Sequence, residues 1–337
     1  MFDPSTLAAP IVGAPMAGGP STPELTAAIS AAGGFGMLAG AYLTADGLRA
    51  EIAAVRALTD APFGVNLFVP EEIPFDAEAF AGYRTRLLRL AERFGATLPE
   101  HVEYSDDAFD AKVAVLLESG VAAVSFTFGA PAPEIYTAFA DHGIGTVTTV
   151  TSRADAERAV AAGTAALCAQ GIEAGGHRST FGILDSDTEI GVRELVADVS
   201  ALGVPVIGSG GVGDVDDVRA ILDAGAVAAQ VGTLFLRTGE AGTKPAHRDA
   251  LSDPRFTETA TTRAYSGRLA RGLVNDFIRD FSATAPPVYP QVNTLTGPLR
   301  RAAAEDPQMI NLWAGTGWRG AREVSAAEVV AQLTPGT

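Results

Sequence analysis

The stretch Val204-Pro205-Val206-Ile207-Gly208-Ser209-Gly210-Gly211-Val212-Gly213-Asp214 decides how this chain is read. The apolar run Val204–Gly208 predicts a short buried strand, and the glycines after it predict a turn lying close to other backbone. Asp214 then opens an amphipathic stretch, Val215–Ala224, with helical spacing. A second apolar run, Ala226–Val231, follows at once and leads into Gln230-Val231-Gly232-Thr233. Strand, glycine loop, helix and strand, in that order, make a parallel crossover unit. The strand runs are apolar throughout rather than alternating, as expected where both faces of a parallel sheet are covered.

Outward from this unit the same alternation recurs. Strand runs are expected at Pro10–Met16, Gly34–Ala39, Phe63–Val69, Ala122–Phe126, Thr146–Val150 and Ala165–Ala169. Helices are expected at Thr22–Ala32, at Ala45–Leu58 behind a Thr44 cap, at Pro133–His142, Arg153–Ala162 and Glu189–Leu202, and at Val324–Leu333 with Ser325 as cap. Eight strand runs with crossover helices between them predict an α/β fold, a (β/α)₈ TIM barrel, in preference to an open doubly wound sheet. Two stretches break the pattern. Glu71–Lys112 is charged, and helical over Ala77–Phe94; Thr238–Asn311 holds proline clusters and no clear βα unit. The expected organisation is a barrel of residues 1–70, 113–240 and 312–337, with 71–112 and 241–311 forming a second, smaller, mainly helical domain over the strand ends.

Composition narrows the function. The 337 residues, 47% hydrophobic and 19% charged, fit a compact enzyme. A formal net charge of −16 repels nucleic-acid phosphates and anionic lipid, so neither is expected as a partner. The basic stretch Arg263–Arg279 is local, and remains open to an anionic substrate. Cys168, the single cysteine, allows no internal disulfide and no cysteine metal site, and it sits within an apolar strand run as core filler. No metal is expected. With no signal segment at the N-terminus and no apolar run of spanning length, a cytoplasmic protein is expected.

Candidate chemistry collects where barrel strands end. Gln170-Gly171-Ile172-Glu173-Ala174-Gly175-Gly176-His177 follows the sixth strand, and its glycines deliver one of four histidines in the chain to the mouth. His177 is the candidate general base; the bland alternative is a histidine bonded to a nearby carbonyl. Asn66 and Gln170 carry amides suited to a ring edge, or to satisfying backbone in the core. The paired loops at Gly210-Gly211 and Gly232-Thr233 expose N–H groups to a phosphate, or simply turn the chain. A flat cofactor with one phosphate fits this layout. No Rossmann fingerprint, Walker loop or nucleophile elbow is present. The carboxylates Asp214, Asp216 and Asp217 suit a helix start, and Glu173 suits orienting a backbone or a ring.

The segments Ala14-Pro15-Met16-Ala17-Gly18-Gly19, Gly64–Phe68, Ala169–His177, Gly210–Val212, Gln230–Thr233, Tyr265–Gly272, Tyr289-Pro290 and Leu312–Gly315 together resemble the nitronate monooxygenase family, formerly 2-nitropropane dioxygenases. The resemblance implies an FMN-dependent oxidoreductase. It would oxidatively denitrify nitronates and nitroalkanes, such as propionate 3-nitronate, with O2 to a carbonyl compound and nitrite, through one-electron transfer to flavin. By position it implies that FMN is held by Ala14, Pro15, Met16, Asn66, Gln170, Gly175, Gly176, Ser209, Gly210, Gly211, Gln230, Val231, Gly232 and Thr233. His177 would be the catalytic base, with Phe68, Ser266 and Tyr289 near the substrate. Arg178, where a glycine soon after the histidine is expected in that family, either brings positive charge to the substrate or faces solvent.

The chief alternative is an FMN-dependent NAD(P)H oxidoreductase of the same barrel group, a quinone reductase or a flavin-type enoyl-thioester reductase. A barrel dehydrogenase of the purine-nucleotide type needs a cysteine nucleophile after strand six, whereas Cys168 precedes that loop. A non-catalytic flavin carrier has no need of His177. The acidic, alanine-rich surface neither requires nor excludes a homodimer.

Overall fold

The structure is a computed structural model that describes residues 2–71, 75–185 and 188–336; residues 72–74, within the expected insertion, lie outside it, as do 186 and 187. The chain opens with β1 (Ile11–Gly13), α1 (Pro23–Ala31), β2 (Met37–Ala39), α2 (Ala45–Leu58) and β3 (Gly64–Phe68). After α3 (Ala77–Arg93) come α4 (Phe109–Ser119), β4 (Ala123–Thr127), α5 (Pro133–Asp141), β5 (Gly145–Val150), α6 (Arg153–Ala162) and β6 (Ala166–Gln170). The two-residue strand β7 (Gly176–His177) precedes α7 (Val192–Val199), β8 (Val206–Ser209), α8 (Val215–Asp223) and β9 (Ala228–Val231). Then follow α9 (Pro245–Ala250), β10 (Thr259–Thr262), β11 (Ala270–Leu273), α10 (Asp276–Phe281), α11 (Gln291–Ala302) and α12 (Ala326–Leu333).

Eight strands form one parallel sheet in the order β1-β9-β8-β6-β5-β4-β3-β2. The ring closes between β1 and β2 at a parallel bridge from Val12 to Phe35. There the Phe35 N–H donates to Ile11 O, and the Gly13 N–H to Phe35 O, at 2.9 Å each. This is the expected (β/α)₈ barrel. Its interior is filled by small and branched side chains, among them Val12, Ala123, Val147, Ala166, Ile207 and Ala228, with Cys168 beside them. Phe2 stacks on Phe35 at 4.0 Å between ring centroids, packed against that interior cluster.

Local chemistry sets the helix starts. Thr44 Oγ1 accepts from Gly47 N–H at 3.0 Å and fixes the start of α2 at Ala45. Asp214 and Asp217 cap α8 reciprocally, which accounts for those carboxylates without catalysis. Ser325 and Glu328 form the same kind of box on α12. Each such cap contributes about 1 kcal/mol. Several expected elements are shorter than their runs, β2 and β9 among them. β1 keeps three residues, because Met16 N–H turns away to Ser21 Oγ at 2.8 Å. The helix expected from Glu189 starts at Val192, after extended backbone at Gly191.

The segments outside the barrel share a second core. Asp76 caps α3, and its apolar stripe Phe80, Tyr83, Leu87 and Ala91 packs with Phe277 of α10 and with Leu295 and Leu299 of α11. Besides helices this region holds a three-stranded antiparallel sheet, ordered β10-β11-β7. Because β7 belongs to the chain leaving β6, this small sheet bolts the second core to the barrel. Among the described residues, no helix is long and apolar enough to cross a membrane.

Candidate active site

His177 is positioned by backbone pairing. It lies opposite Ala270 of β11, and Arg178 N–H donates to Leu269 O at 2.8 Å. Gly176, at φ +75°, makes the turn into this strand. Gly175 has a different reason to lack a side chain: a Cβ there would stand 2.4 Å from Gly315 N. The imidazole is walled by Phe68, Phe128, Tyr289 and Trp313, with ring centroids between 5.7 and 6.4 Å away. Burial among these rings, and then the positive charges of Arg268 and Arg300, push its pKa down to about 3. It is therefore neutral at any ordinary pH.

One contact orients the ring. His177 Nε2 and Ser266 Oγ are 2.8 Å apart. The Ser266 hydroxyl is within 3.1 Å of Arg268 O, a carbonyl that can only accept, and it is itself reached by Arg268 N–H at 3.3 Å. With its proton on that carbonyl, Ser266 accepts from Nε2–H, which puts the imidazole lone pair on Nδ1. The second core holds Ser266 in place. Tyr83 Oη donates to Ala264 O at 2.6 Å, and Tyr265 Oη to Ile310 O at 2.8 Å.

His177 faces a cavity of about 350 Å³ at the strand C-terminal ends. On it converge Ala14, Pro15, Met16, Asn66, Phe68, Gln170, Gly175 and Gly176, and the loops Ser209-Gly210-Gly211 and Gln230-Val231-Gly232-Thr233. Tyr289 stands behind the wall in a side cavity of about 120 Å³ that shares Tyr42, Phe68 and Asn293 with the main one. Ser266 is buried, and meets His177 rather than the cavity.

The polar lining is partly spent. Gln170 donates from Nε2 to His177 O at 2.9 Å, and its Oε1 accepts from Arg178 and from Ser179 N–H, leaving one Nε2 hydrogen. Asn66 donates from Nδ2 to Ser125 Oγ at 2.9 Å and to Thr127 Oγ1 at 3.0 Å, leaving Oδ1 without a donor among the described residues. The N–H groups of Gly211, Val212, Gly232 and Thr233 likewise reach no acceptor there. Four such amides on two adjacent loops form a cradle for an anion. No Asp or Glu lines the cavity among the described residues.

Two expectations change here, for Arg178 and for the basic stretch, while Glu173 and Cys168 take one of the roles expected of them. Arg178 is fully buried, with Nη1 on the carbonyls of Gln170 and Gly171 and on Gln170 Oε1, so it neither faces solvent nor lines the cavity. The arginines of 263–279 also lie off the lining; the cations that do line it are Lys244 and Arg300. Glu173 accepts from Val192 N–H at 3.0 Å and caps α7 from outside, so it orients backbone. Cys168 is buried, and burial pushes its thiol up to about 12, which removes the cysteine-nucleophile dehydrogenase. Sequence reading missed Tyr42, Lys244, His247, Asn293 and Arg300 on the cavity wall. They are isolated residues in irregular or lobe segments, and no spacing marks them.

Unpaired loop amides and a neutral imidazole lining one cavity at the strand ends of a (β/α)₈ barrel suit an α/β-barrel oxidoreductase that takes a phosphate-bearing ligand. The chain matches the family model described as nitronate monooxygenase over residues 4–336. It is 41% identical over 335 residues to a nitronate monooxygenase of Pseudomonas aeruginosa, covering 96% of this chain and 95% of that one. It is 38% identical to a nitronate monooxygenase of Paraburkholderia phytofirmans, covering 96% and 91%. A nitroalkane oxidase from Streptomyces ansochromogenes superposes with a TM-score of 0.93 at 44% identity, covering 98% and 97%. FabK from Thermotoga maritima superposes at 0.75 with 26% identity, covering 97% and 92%. The chain belongs to the nitronate monooxygenase family, and is an oxidoreductase of oxidative nitronate and nitroalkane denitrification.

Proposed function

We propose that the cavity holds FMN, with the phosphate on the amides of Gly211, Val212, Gly232 and Thr233, and the ring edge against Asn66 Oδ1 and the remaining Gln170 N–H. Ala14, Pro15 and Met16, the Gly175-Gly176 turn, and Ser209, Gly210, Gln230 and Val231 complete its walls. The unpaired amides and the absence of a lining carboxylate among the described residues support this fit. Bound there, FMN supplies the oxidant for the substrate carbon.

His177 removes the acidic proton beside a nitro group, through Nδ1, while Ser266 holds the opposite nitrogen. The observation that carries this role is the 2.8 Å His177–Ser266 contact inside a carboxylate-free cavity. A pKa near 3 makes the resting imidazole a weak base. The nitronate anion created beside it opposes that depression, because an adjacent negative charge favours imidazolium. A substrate that arrives already as a nitronate needs no proton removed, and His177 then serves to orient it. Phe68, with Tyr289 behind it, and Lys244, Asn293 and Arg300 of 241–311 form the cover that excludes water, while Glu71 and 104–107 wall the side cavity. On this reading 71–112 and 241–311 are the smaller domain over a barrel of 1–70, 113–240 and 312–337. The single buried thiol suits a reducing cytoplasm.

The test is oxygen uptake and nitrite release by the FMN-loaded protein with propionate 3-nitronate, beside anaerobic mixing with NADH. Nitrite formation, with no bleaching by NADH, is expected. Bleaching by NADH without nitrite would move the assignment to the reductase alternative, which the whole-chain family match does not favour.

A further inference from the structure

Among the described residues, four that are not glycine hold positive φ: Tyr42 at +66°, Asp107 at +58°, Ala108 at +53° and Phe128 at +76°. Such backbone is costly for any residue with a Cβ, and most so for one carrying a ring. Three of the four line the side cavity behind Phe68, and Ala108 adjoins Asp107. In each, a side-chain oxygen takes the backbone N–H. Tyr42 N–H donates to the Asp107 carboxylate at 3.0 Å, and Phe128 N–H to Ser179 Oγ at 3.1 Å. Asp107 N–H donates to Ser105 Oγ at 3.1 Å, and Ala108 N–H to Asp106 Oδ1 at 2.9 Å. Side chains therefore hold the strain in place.

Of these four residues, Tyr42 alone also lines the main cavity. Its ring meets Phe68 edge-on at 5.8 Å, and its Oη lies 3.4 Å from Tyr289 Oη, so it stands on the boundary between the two cavities. It is 44% exposed. A ring left that open gives the ligand-free fold little burial in return for its backbone. The carboxylate that holds it is itself anchored. Lys112 of α4, 1% exposed, places Nζ 2.7 Å from Asp107 Oδ2. A buried ion pair adds little net stability over apolar side chains of the same volume, so this one is better explained by the conformation it fixes.

We propose that Asp107 and Lys112 are positioning residues for the reaction. Their ion pair pins Tyr42 in the left-handed conformation that lays its ring over the substrate at the boundary between the two cavities. Neither residue lines the main cavity, so both act through Tyr42. This rests on the reading of the main cavity as the substrate site.

The experiment uses paired changes that strand no charge. Asp107→Gly with Lys112→Met removes the acceptor for Tyr42 N–H, while glycine keeps the left-handed backbone at little cost. Asp107→Asn with Lys112→Met restores an uncharged acceptor. With FMN-loaded protein and propionate 3-nitronate, the glycine pair is expected to raise KM by about tenfold with a much smaller change in kcat. The asparagine pair should recover most of that loss. Tyr42→Gly, which relieves its own strain, is expected to raise KM by the same factor, and adding the glycine pair to it should change KM no further. Labelling the six tyrosines with 3-fluorotyrosine gives a readout independent of turnover. The Tyr42 fluorine signal, assigned by its loss in Tyr42→Phe, is expected to move or broaden in the glycine pair and to return in the asparagine pair. Those of Tyr83, Tyr136 and Tyr265 should stay in place. Additive rises in KM in the combined variant, or an unmoved Tyr42 signal in the glycine pair, overturn the proposal. An unchanged KM in Tyr42→Gly overturns it even if the paired variants fail to fold. A wild type that releases no nitrite overturns the functional reading, and the fluorine spectra then decide the positioning of Tyr42 on their own.

Discussion

Arg268 and Glu71, 197 residues apart in the chain, meet at 3.0 Å at the edge of the His177 site. Glu71 lies three residues beyond β3 and also accepts from Ile183 N–H at 3.0 Å. Arg268, 2% exposed, stacks on Phe128 at 4.1 Å and donates to the carbonyls of Thr180 and Phe181. One ion pair thus ties three separate segments around the histidine.

Glu71→Gln is expected to destabilise the protein by about 3 kcal/mol, because it strands the Arg268 charge in a buried site. Glu71→Gln combined with Arg268→Met should regain part of that loss. Urea melts of the two single variants and the double variant check this as a cycle. Additive losses would mean that the pair does not act as a unit.

His177→Ala is expected to lower kcat/KM for neutral nitroalkanes by about a hundredfold to ten-thousandfold, the range of a general base. Nitronates, which carry no proton to remove, should lose much less. Steady-state rates on a nitroalkane and its own nitronate separate the two; equal losses would make His177 a general structural residue.

Ser266→Ala leaves the Nε2 hydrogen without its acceptor and frees the imidazole to change tautomer. A loss of roughly tenfold in nitroalkane turnover is expected, together with a changed pH profile. The readout that a merely structural role would not move is the His177 nitrogen chemical shift in the two proteins.

Acid should destabilise the fold in a defined window. His177 and His247 are buried and neutral, pushed down to about 3 and about 4, burial being the largest cause in each. Below about 6.5 the unfolded chain takes up protons that the folded chain refuses, so stability falls as pH drops. That stability is fully present above about 6.5 and is lost as pH falls through 4 and then 3. Melting temperatures from pH 7 to pH 4 for the wild type and His247→Gln check this, with a shallower slope expected in the variant.

The barrel was legible because its signals are local and repeated. Thr44 marks the start of α2, Arg153–Ala162 reads as a helix by spacing, and each strand run is apolar on both faces. The small sheet was not. β10 is Thr-Ala-Thr-Thr, β11 is Ala-Arg-Gly-Leu and β7 is two residues, too short for any period to show. The glycine loops and His177 carry composition that stands out. Tyr42 reaches the wall from backbone at φ +66°, a conformation its side chain does not announce, and Arg300 looks like any helical surface arginine until Asn293 and Asn311 are placed beside it.

The seam of the barrel has a consequence for how the chain is made. β1 pairs with β9, Ile11 against Ala229, and Thr22 Oγ1 donates to Glu240 O, 218 residues on, at 2.6 Å. A nascent chain leaving the ribosome therefore carries its first strand unpartnered on that side until about two thirds of the protein has emerged. Loop closure of that length is slow, and open strand edges invite association with other chains. A translation pause or premature stop before Val231 leaves the sheet with two raw edges, so chaperone demand in synthesis follows from the order of strands rather than from any one side chain.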